Sequence, residues 1–290
     1  MPLFLIISCG NNVKIMTKYV KVSIVTVCFN AIDVIEKTIL SVIEQTFIGY
    51  EFIIVDGGSS DGTLDVIKRY ENRISKWISE PDNGIYNAMN KGVLMASGEY
   101  IIFMNAGDTF YNKEALVLAV SEIEISKADV IVGKSINKLG MQSALKESEL
   151  SLFMIYKYGF CHQAAFIRRN LLIEHPYDED YRIASDSKFF LEVLILFNAT
   201  YQNIQTVICN YAPWGISSNR PLHDSELKQS VIQLFGERVA KDVFLLDGFY
   251  NPLLRTLYLV SNSKFMVSCV YPILKRVLYF GSKAIRIWKK

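Results

Sequence analysis

The chain has 290 residues, 51% hydrophobic and 21% charged, enough for one large domain, or a domain with an appendage, around a sizeable core. A net charge of +2 gives no imbalance that points to nucleic acid. The five cysteines are scattered, with no Cys-x-x-Cys pair, which argues against a disulfide framework and structural zinc and fits a reducing compartment.

In chain order, Pro2 to Cys9 is a short apolar run without the preceding basic residues of a signal peptide. Residues 1–19 are read as a tail without function, with Met16 just ahead of the first clear strand. Val22 to Cys28 is that strand, and Phe29-Asn30 opens the loop after it. Asp33 can cap a helix running to about Gln45, with Ile35, Ile39, Val42 and Ile43 on one face. Glu51-Phe-Ile-Ile-Val is apolar without alternation, as in a strand buried on both faces, and ends in Asp56-Gly-Gly-Ser-Ser-Asp-Gly-Thr63. Asp56 at such a strand end can hydrogen-bond a nucleotide base or ribose, or simply belong to the turn; Ser59, Ser60 or Asp61 can cap the helix from Thr63 to Tyr70.

A third strand, Ile74 to Ser79, ends at Glu80-Pro-Asp-Asn-Gly84. A helix with Ile85, Ala88, Met89 and Val93 stops at Ser97-Gly98, and a fourth strand, Glu99 to Met104, closes on Asn105-Ala-Gly-Asp108. This βαβαβαβ order implies a mostly parallel sheet with right-handed crossovers. Four strand ends then bring Asn30, Asp56, Asp82 with Asn83, and Asp108 to one edge, which turn chemistry alone does not explain. Small Ala106 and Gly107 let an anionic ligand and a hard cation approach Asp108, although Asn-x-Gly-Asp is also an ordinary turn. A helix near 113–126 and a strand from Ala128 to Gly133 follow, and 134–182 is less regular. Beyond it come an amphipathic helix from Asp186 to Phe197, a strand from Thr200 to Asn210, a loop from Tyr211 to Arg220 and a helix from Asp224 to Val239.

Val25-Thr-Val, Val55 to Thr63, Glu80-Pro-Asp-Asn-Gly-Ile-Tyr-Asn-Ala-Met-Asn-Lys-Gly92 and Gly98 to Asp108, in that order, resemble family 2 glycosyltransferases of the bacterial capsule and exopolysaccharide type. The resemblance covers roughly Val20 to Arg220. It implies the GT-A fold, a Rossmann-like mixed and mostly parallel sheet flanked by helices. It also implies a nucleotide-sugar donor, first of all a UDP-sugar, a divalent metal (Mn2+ or Mg2+), and inverting transfer to a hydroxyl of a glycan or lipid-linked acceptor. By position, Thr26 and Asn30 would line the nucleotide pocket, Asp56 would bind base or ribose, and Asn83 with Asn90 would flank the donor. Asp108 would hold the metal; Asn105 and Gly107 stand where acids often occur, which implies weak metal affinity leaning on the donor phosphates. Asp186 would be the base that takes the acceptor proton, with Asp180 in reserve. Without the resemblance, Asp186 reads as a helix-terminal acid complementing the dipole, and 178–180 as a solvated acidic loop.

His162, in Cys161-His-Gln163, could contact an acceptor hydroxyl or phosphate, or be a satisfied structural residue. His175 and His223 read as loop residues. Trp214-Gly-Ile-Ser217 resembles a loop closing over the donor, with Trp214 stacking on sugar and Ser217 on a phosphate or hydroxyl; Trp214 as a core anchor stands beside that reading. After Asp247 no acid occurs, and Val270 to Lys290 sorts into an apolar face with Trp288 and a basic face with Lys275, Arg276, Lys283, Arg286 and Lys290. That pattern suits an anionic membrane surface, or packing on the catalytic domain or a second subunit.

The sequence thus gives a tail (1–19), a catalytic domain (20–222) and a helical, membrane-docking region (223–290) on the inner face of the cell membrane. The rival readings are a non-catalytic nucleotide- or glycan-binding subunit and a nucleotidyltransferase.

Overall fold

The computed structural model describes residues 4–9, 12–17, 21–137, 140–142, 144–211 and 219–249. Contacts divide the chain into two compact units, Met1–Gly236 and Glu237–Lys290. In the first, β1 (Phe4–Cys9) and β2 (Asn12–Thr17) pair antiparallel as a separate ribbon, where a loose tail is expected from the sequence.

The chain then follows the predicted order: β3 (Val22–Cys28), α1 (Ile35–Ile43), β4 (Tyr50–Asp56), α2 (Thr63–Arg69), β5 (Lys76–Ser79), α3 (Ile85–Met95) and β6 (Tyr100–Phe103). Then come β7 (Thr109–Phe110), α4 (Ala115–Ser126), β8 (Val130–Asn137), β9 (Gly140–Gln142), α5 (Leu152–Tyr158), β10 (Ala165–Arg168), α6 (Arg169–Glu174), α7 (Ser185–Leu191), β11 (Tyr201–Asn210) and α8 (Arg220–Phe249).

The main sheet has the order β5-β4-β3-β6-β10-β8-β11-β7, with β9 on β8. β3 pairs parallel with β4 and β6, β4 with β5, and β8 with β11, whereas β10 runs antiparallel between β6 and β8. The result is a mixed, mostly parallel sheet flanked by helices. β3 and β6 are buried along their whole length, and Val22, Ile24, Phe52, Ile54, Tyr100 and Ile102 join one core. Such runs persist because both faces are covered. Gly92 lets α3 lie close on β3, since a Cβ there would stand 2.4 Å from Val25. The strand order reverses between β3 and β6, and ligands enter open α/β sheets at that kind of crevice, beyond the strands' C-terminal ends.

Three local expectations change. Asp33 does not cap α1: its N-cap, Val34, makes no side-chain bond, and Ile35 N donates to Ala31 O at 2.9 Å. The helix predicted for Asp186 to Phe197 is α7 followed by a π-turn over Glu192–Leu196. His223 lies in α8, which starts at Arg220 and is interrupted at Gly236 (φ 78°, ψ 163°). Among the described residues no helix is long and apolar enough to cross a membrane. The basic stretch Val270 to Lys290 lies outside the described residues.

Candidate active site

The loops after β3 and β4 are stitched together by their own polar side chains. Asn30, at φ 46°, accepts a hydrogen bond from Ser60 N on Oδ1, while its own N–H donates to Ser59 Oγ at 2.7 Å. Asp61 accepts from Ile32 N and Thr63 N, so of the proposed caps it is Asp61 that meets the start of α2. Asp56 is fully buried. Its carboxylate accepts from Gly58 N, Ser59 N, Ser59 Oγ, Ser79 Oγ and the Cys28 thiol. Burial alone would raise its pKa, but the hydroxyl and backbone donors outweigh it and hold the group below the usual carboxylate value. Gly58, at φ 84°, allows the turn that aims two of those N–H groups at Asp56.

These contacts refine the expected nucleotide wall. Asp56 holds the loop from inside, and the outward surface beside it is Phe29, 62% exposed, across Gly57 from Asp82. Phe29 and Asp82 thus stand where the sequence reading puts a nucleoside, with an aromatic face and a carboxylate. Thr26, expected on the same wall, is fully buried and donates to Met104 O at 2.7 Å, so it ties β3 to the β6 loop. Asn83 stays exposed at the start of α3. Asn90, expected beside the donor, is a clamp in the structure: its amide donates to Tyr177 O and Glu179 Oε1 and accepts from Tyr177 N.

That clamp holds the segment leading to Asp186. Glu179 also accepts from Asn87, and Asp178 pairs with Lys188, so the acidic loop is engaged rather than merely solvated. From the other side the buried Glu226 of α8 accepts from the N–H groups of Arg182, Ile183 and Ala184 at 2.9, 3.0 and 3.0 Å. α7 therefore starts at a fixed place, and Asp186 lies in its first turn.

Asp186 Oδ1 accepts from Tyr86 OH at 3.0 Å, and Oδ2 lies 2.9 Å from His162 Nδ1. Both members of the latter pair are largely buried, with side chains 14% and 15% exposed. Burial opposes charge on each, but the mutual attraction wins: the Asp186 pKa is lowered and that of His162 raised. The far nitrogen of the ring, Nε2, is 3.3 Å from Asn105 Nδ2, at the C-terminal end of β6. Next along, Gln163 Nε2 donates to Asp108 Oδ2 at 3.1 Å. Asp108 is buried, its residue 5% exposed.

The antiparallel strand explains how these groups meet. β10 enters the sheet beside β6 with its N-terminal end at the edge where the parallel strands finish. The 3-10 turn His162–Ala164 immediately before it is thereby delivered next to Asn105 and Asp108. Asp186, His162 and Asp108 come to one place; Thr26 and Asn90 act behind the wall, and Trp214 and Ser217 lie outside the described residues. Tyr86, Gln163, Glu226 and Phe29 are additions, whereas Asp82 is one of the strand-end residues already expected at this edge. Tyr86 and Asn90 sit one helical turn apart in α3, a spacing that places them on one face.

A match to the family model "Glycosyl transferase family 2" spans residues 23–177. An uncharacterized glycosyltransferase of Mycobacterium tuberculosis is 32% identical over 212 residues, covering 71% of this chain and 80% of that protein. Among solved structures, S. aureus TarS 1-349 in complex with UDP-GlcNAc aligns with TM-score 0.60 at 20% identity, covering 77% of this chain and 69% of that one. The mannosyltransferase PcManGT from Pyrobaculum calidifontis, in complex with GDP-Man and Mn2+, aligns with TM-score 0.54 at 16% identity over 86% of this chain and 82% of that one.

Proposed function

The chain belongs to glycosyl transferase family 2, and from that premise we propose that it moves a sugar, with inversion, from a nucleotide-diphosphate sugar to a hydroxyl of a glycan acceptor. The observation that carries this reading is the His162–Asp186 pair beside the C-terminal end of β6. A proton-accepting group thus sits at the crevice where a donor would enter, and transfer needs such a group as the acceptor oxygen attacks the anomeric carbon. The nucleoside would lie against Phe29, with Asp82 and the Asp56-held loop beside it and Asn30 at the rim. Binding of UDP-GlcNAc by TarS supports a UDP-sugar as the first donor to test.

A divalent cation fits these residues only as one shared with the donor. Among the described residues no group of three His, Cys, Asp or Glu side chains could hold a metal ion. Asp108 offers one carboxylate, which suits a hard cation when phosphate oxygens complete its shell. Asp108 would hold Mn2+ or Mg2+, which would supply positive charge against the departing diphosphate. Gln163 fixes the orientation of that carboxylate. The loop carrying Trp214 and Ser217 would cover the donor, and the division into residues 20–222 and 223–290 would give a catalytic domain and a docking region. The basic face of the C-terminal stretch supports a place on the inner, anionic membrane surface, and with it a lipid-linked acceptor in polysaccharide assembly.

The test is a thermal-shift panel of nucleoside diphosphates and nucleotide sugars, with and without Mn2+, followed by donor hydrolysis on any stabilising ligand. The expected result is stabilisation by one nucleotide class and slow release of free sugar that Asp186→Asn abolishes. Absence of stabilisation and of hydrolysis across the panel would overturn the reading.

A further inference from the structure

We propose that Cys161 is a site of oxidation by hydroperoxides, that Cys209 closes it into a disulfide, and that this bond withdraws the support of Asp108. The effect on Asp108 matters to function through the transferase reading above; the bond itself does not depend on it.

The first observation is where the two thiols meet. Cys209 lies in β11 opposite Ser135 of β8 and is fully buried. β10 starts at Ala165, opposite Val132, and runs antiparallel to β8, so the turn before β10 comes alongside the same end of β8. Cys161 precedes that turn, is half-buried, and packs on the core that contains Cys209. The largest influence on the protonation of each thiol is a hydrogen bond with the other. For Cys161 this bond, helped by the Ser135 hydroxyl, outweighs burial and holds the thiol below its ordinary value, whereas Cys209 is held above its own.

The thiolate is the form that attacks a peroxide. The pair therefore has an attacking member, which is also the one solvent can reach, and a resolving member in contact with it. Cys28 differs: burial, and then Asp56, push its thiol far up, so it stays inert.

The second observation is what Cys161 holds. Its thiol donates to Gln163 Oε1 at 3.2 Å, and Gln163 Nε2 donates to Asp108 Oδ2 at 3.1 Å. One amide thus links the thiol to the carboxylate. A disulfide has no S–H proton to give, so Gln163 Oε1 loses that donor at a buried position, where an unpaired oxygen is costly. Closure also brings the sulfurs to about 2.05 Å, well inside the separation of two thiols in contact. The turn is then drawn toward β11, away from Asp108.

In the first step the Cys161 thiolate attacks an oxygen of the hydroperoxide and the O–O bond breaks. Cys161 becomes a sulfenic acid, and the departing oxygen takes a proton and leaves as an alcohol, or as water from hydrogen peroxide. Cys209 then gives up its proton and attacks the sulfenic sulfur, and the hydroxide expelled takes that proton to leave as water. Two thiols have lost two electrons and the hydroperoxide has gained them. A dithiol reductant reopens the bond, so in a reducing compartment the pair rests as thiols.

The test uses the full chain, hydrogen peroxide as oxidant and two readouts. Peptide mapping after unfolding and alkylation should show a Cys161–Cys209 cross-link, with Cys28 alkylated. Release of sugar from UDP-GlcNAc (or the nucleotide sugar selected by the panel) with Mn2+ should fall by about 10–100-fold and return with dithiothreitol. Cys161→Ser keeps a hydroxyl to donate to Gln163 and should lose no activity to peroxide. Cys209→Ala, oxidised in the presence of dimedone, should carry the adduct on Cys161. The proposal is overturned if both cysteines of a chain that releases sugar remain alkylatable after peroxide, or if the cross-link forms and release is unchanged. Equal peroxide inactivation of Cys161→Ser overturns it as well. All three outcomes leave the transferase reading standing. A reduced chain that hydrolyses no nucleotide sugar removes that reading, and control of transfer through Asp108 with it.

Discussion

The two edges of the main sheet handle their carboxylates in opposite ways. At the edge where the parallel strands begin, Glu99 meets Lys21 at 2.6 Å and Arg168 at 2.9 Å, and Asp129 meets the same Arg168 at 3.0 Å. Glu51 there accepts from Ser23 Oγ, Ser97 and Gly98 N, and pairs with Lys76. At the edge where those strands end, Asp186 is held by a phenol and an imidazole. A permanent cation pins a carboxylate in one state, whereas a histidine partner leaves a proton that can move. One edge holds its acids with permanent cations, and the other pairs its acid with a group that can titrate.

The largest expected effect breaks the chemical edge. Under the transferase reading Asp186→Asn should lower kcat by about 10²–10⁴-fold, because an amide cannot take the acceptor's proton. Its melting temperature should stay within a few degrees of wild type; a collapse of the fold instead would show that the pair is chiefly structural. Glu51→Ala should do the reverse. It orphans buried donors and should destabilise by about 2–4 kcal/mol in urea titration, with kcat per folded molecule unchanged.

Acid should sharpen the same contrast. The Glu51 pKa is lowered: burial would raise it, but Ser23, Ser97 and Lys76 prevail. Its contribution is therefore complete above the unfolded value near 4.5 and disappears as pH falls through the lower folded one. Unfolding midpoints measured between pH 7 and 3 should fall less steeply for Glu51→Gln than for wild type. Smaller still is the effect of the α8 cap on Asp186. Glu226→Gln leaves one oxygen for three N–H groups, and kcat should fall a few-fold with donor KM unchanged. An equal rise in KM would instead tie α8 to donor binding.

Much of the scaffold was legible because its signals are local. Val22 to Cys28 and Glu51 to Val55 have no polar alternation, and the Gly- and Asp-rich loops mark where they end. Antiparallel β10 was not legible, since Ala165 to Arg168 is only four residues and its partners lie more than thirty residues away. The direction in which Asp56 points was equally hidden, because a strand-end acid looks the same whether it faces a ligand or its own loop. Glu226 carries no sequence signal at all: its partners are backbone N–H groups 42 to 44 positions earlier.

The sequence by itself determined the order of strands and helices, the edge at which polar residues collect and the kinship of the chain, since these follow from hydrophobic period and short motifs. Only the tertiary structure decided which acids are enclosed and which hold a proton-bearing partner. Those outcomes depend on contacts such as His162 with Asp186 and Tyr86 with Asp186, 24 and 100 positions apart. Carboxylate basicity is set by the donors and burial around it, and those are supplied by elements distant in sequence.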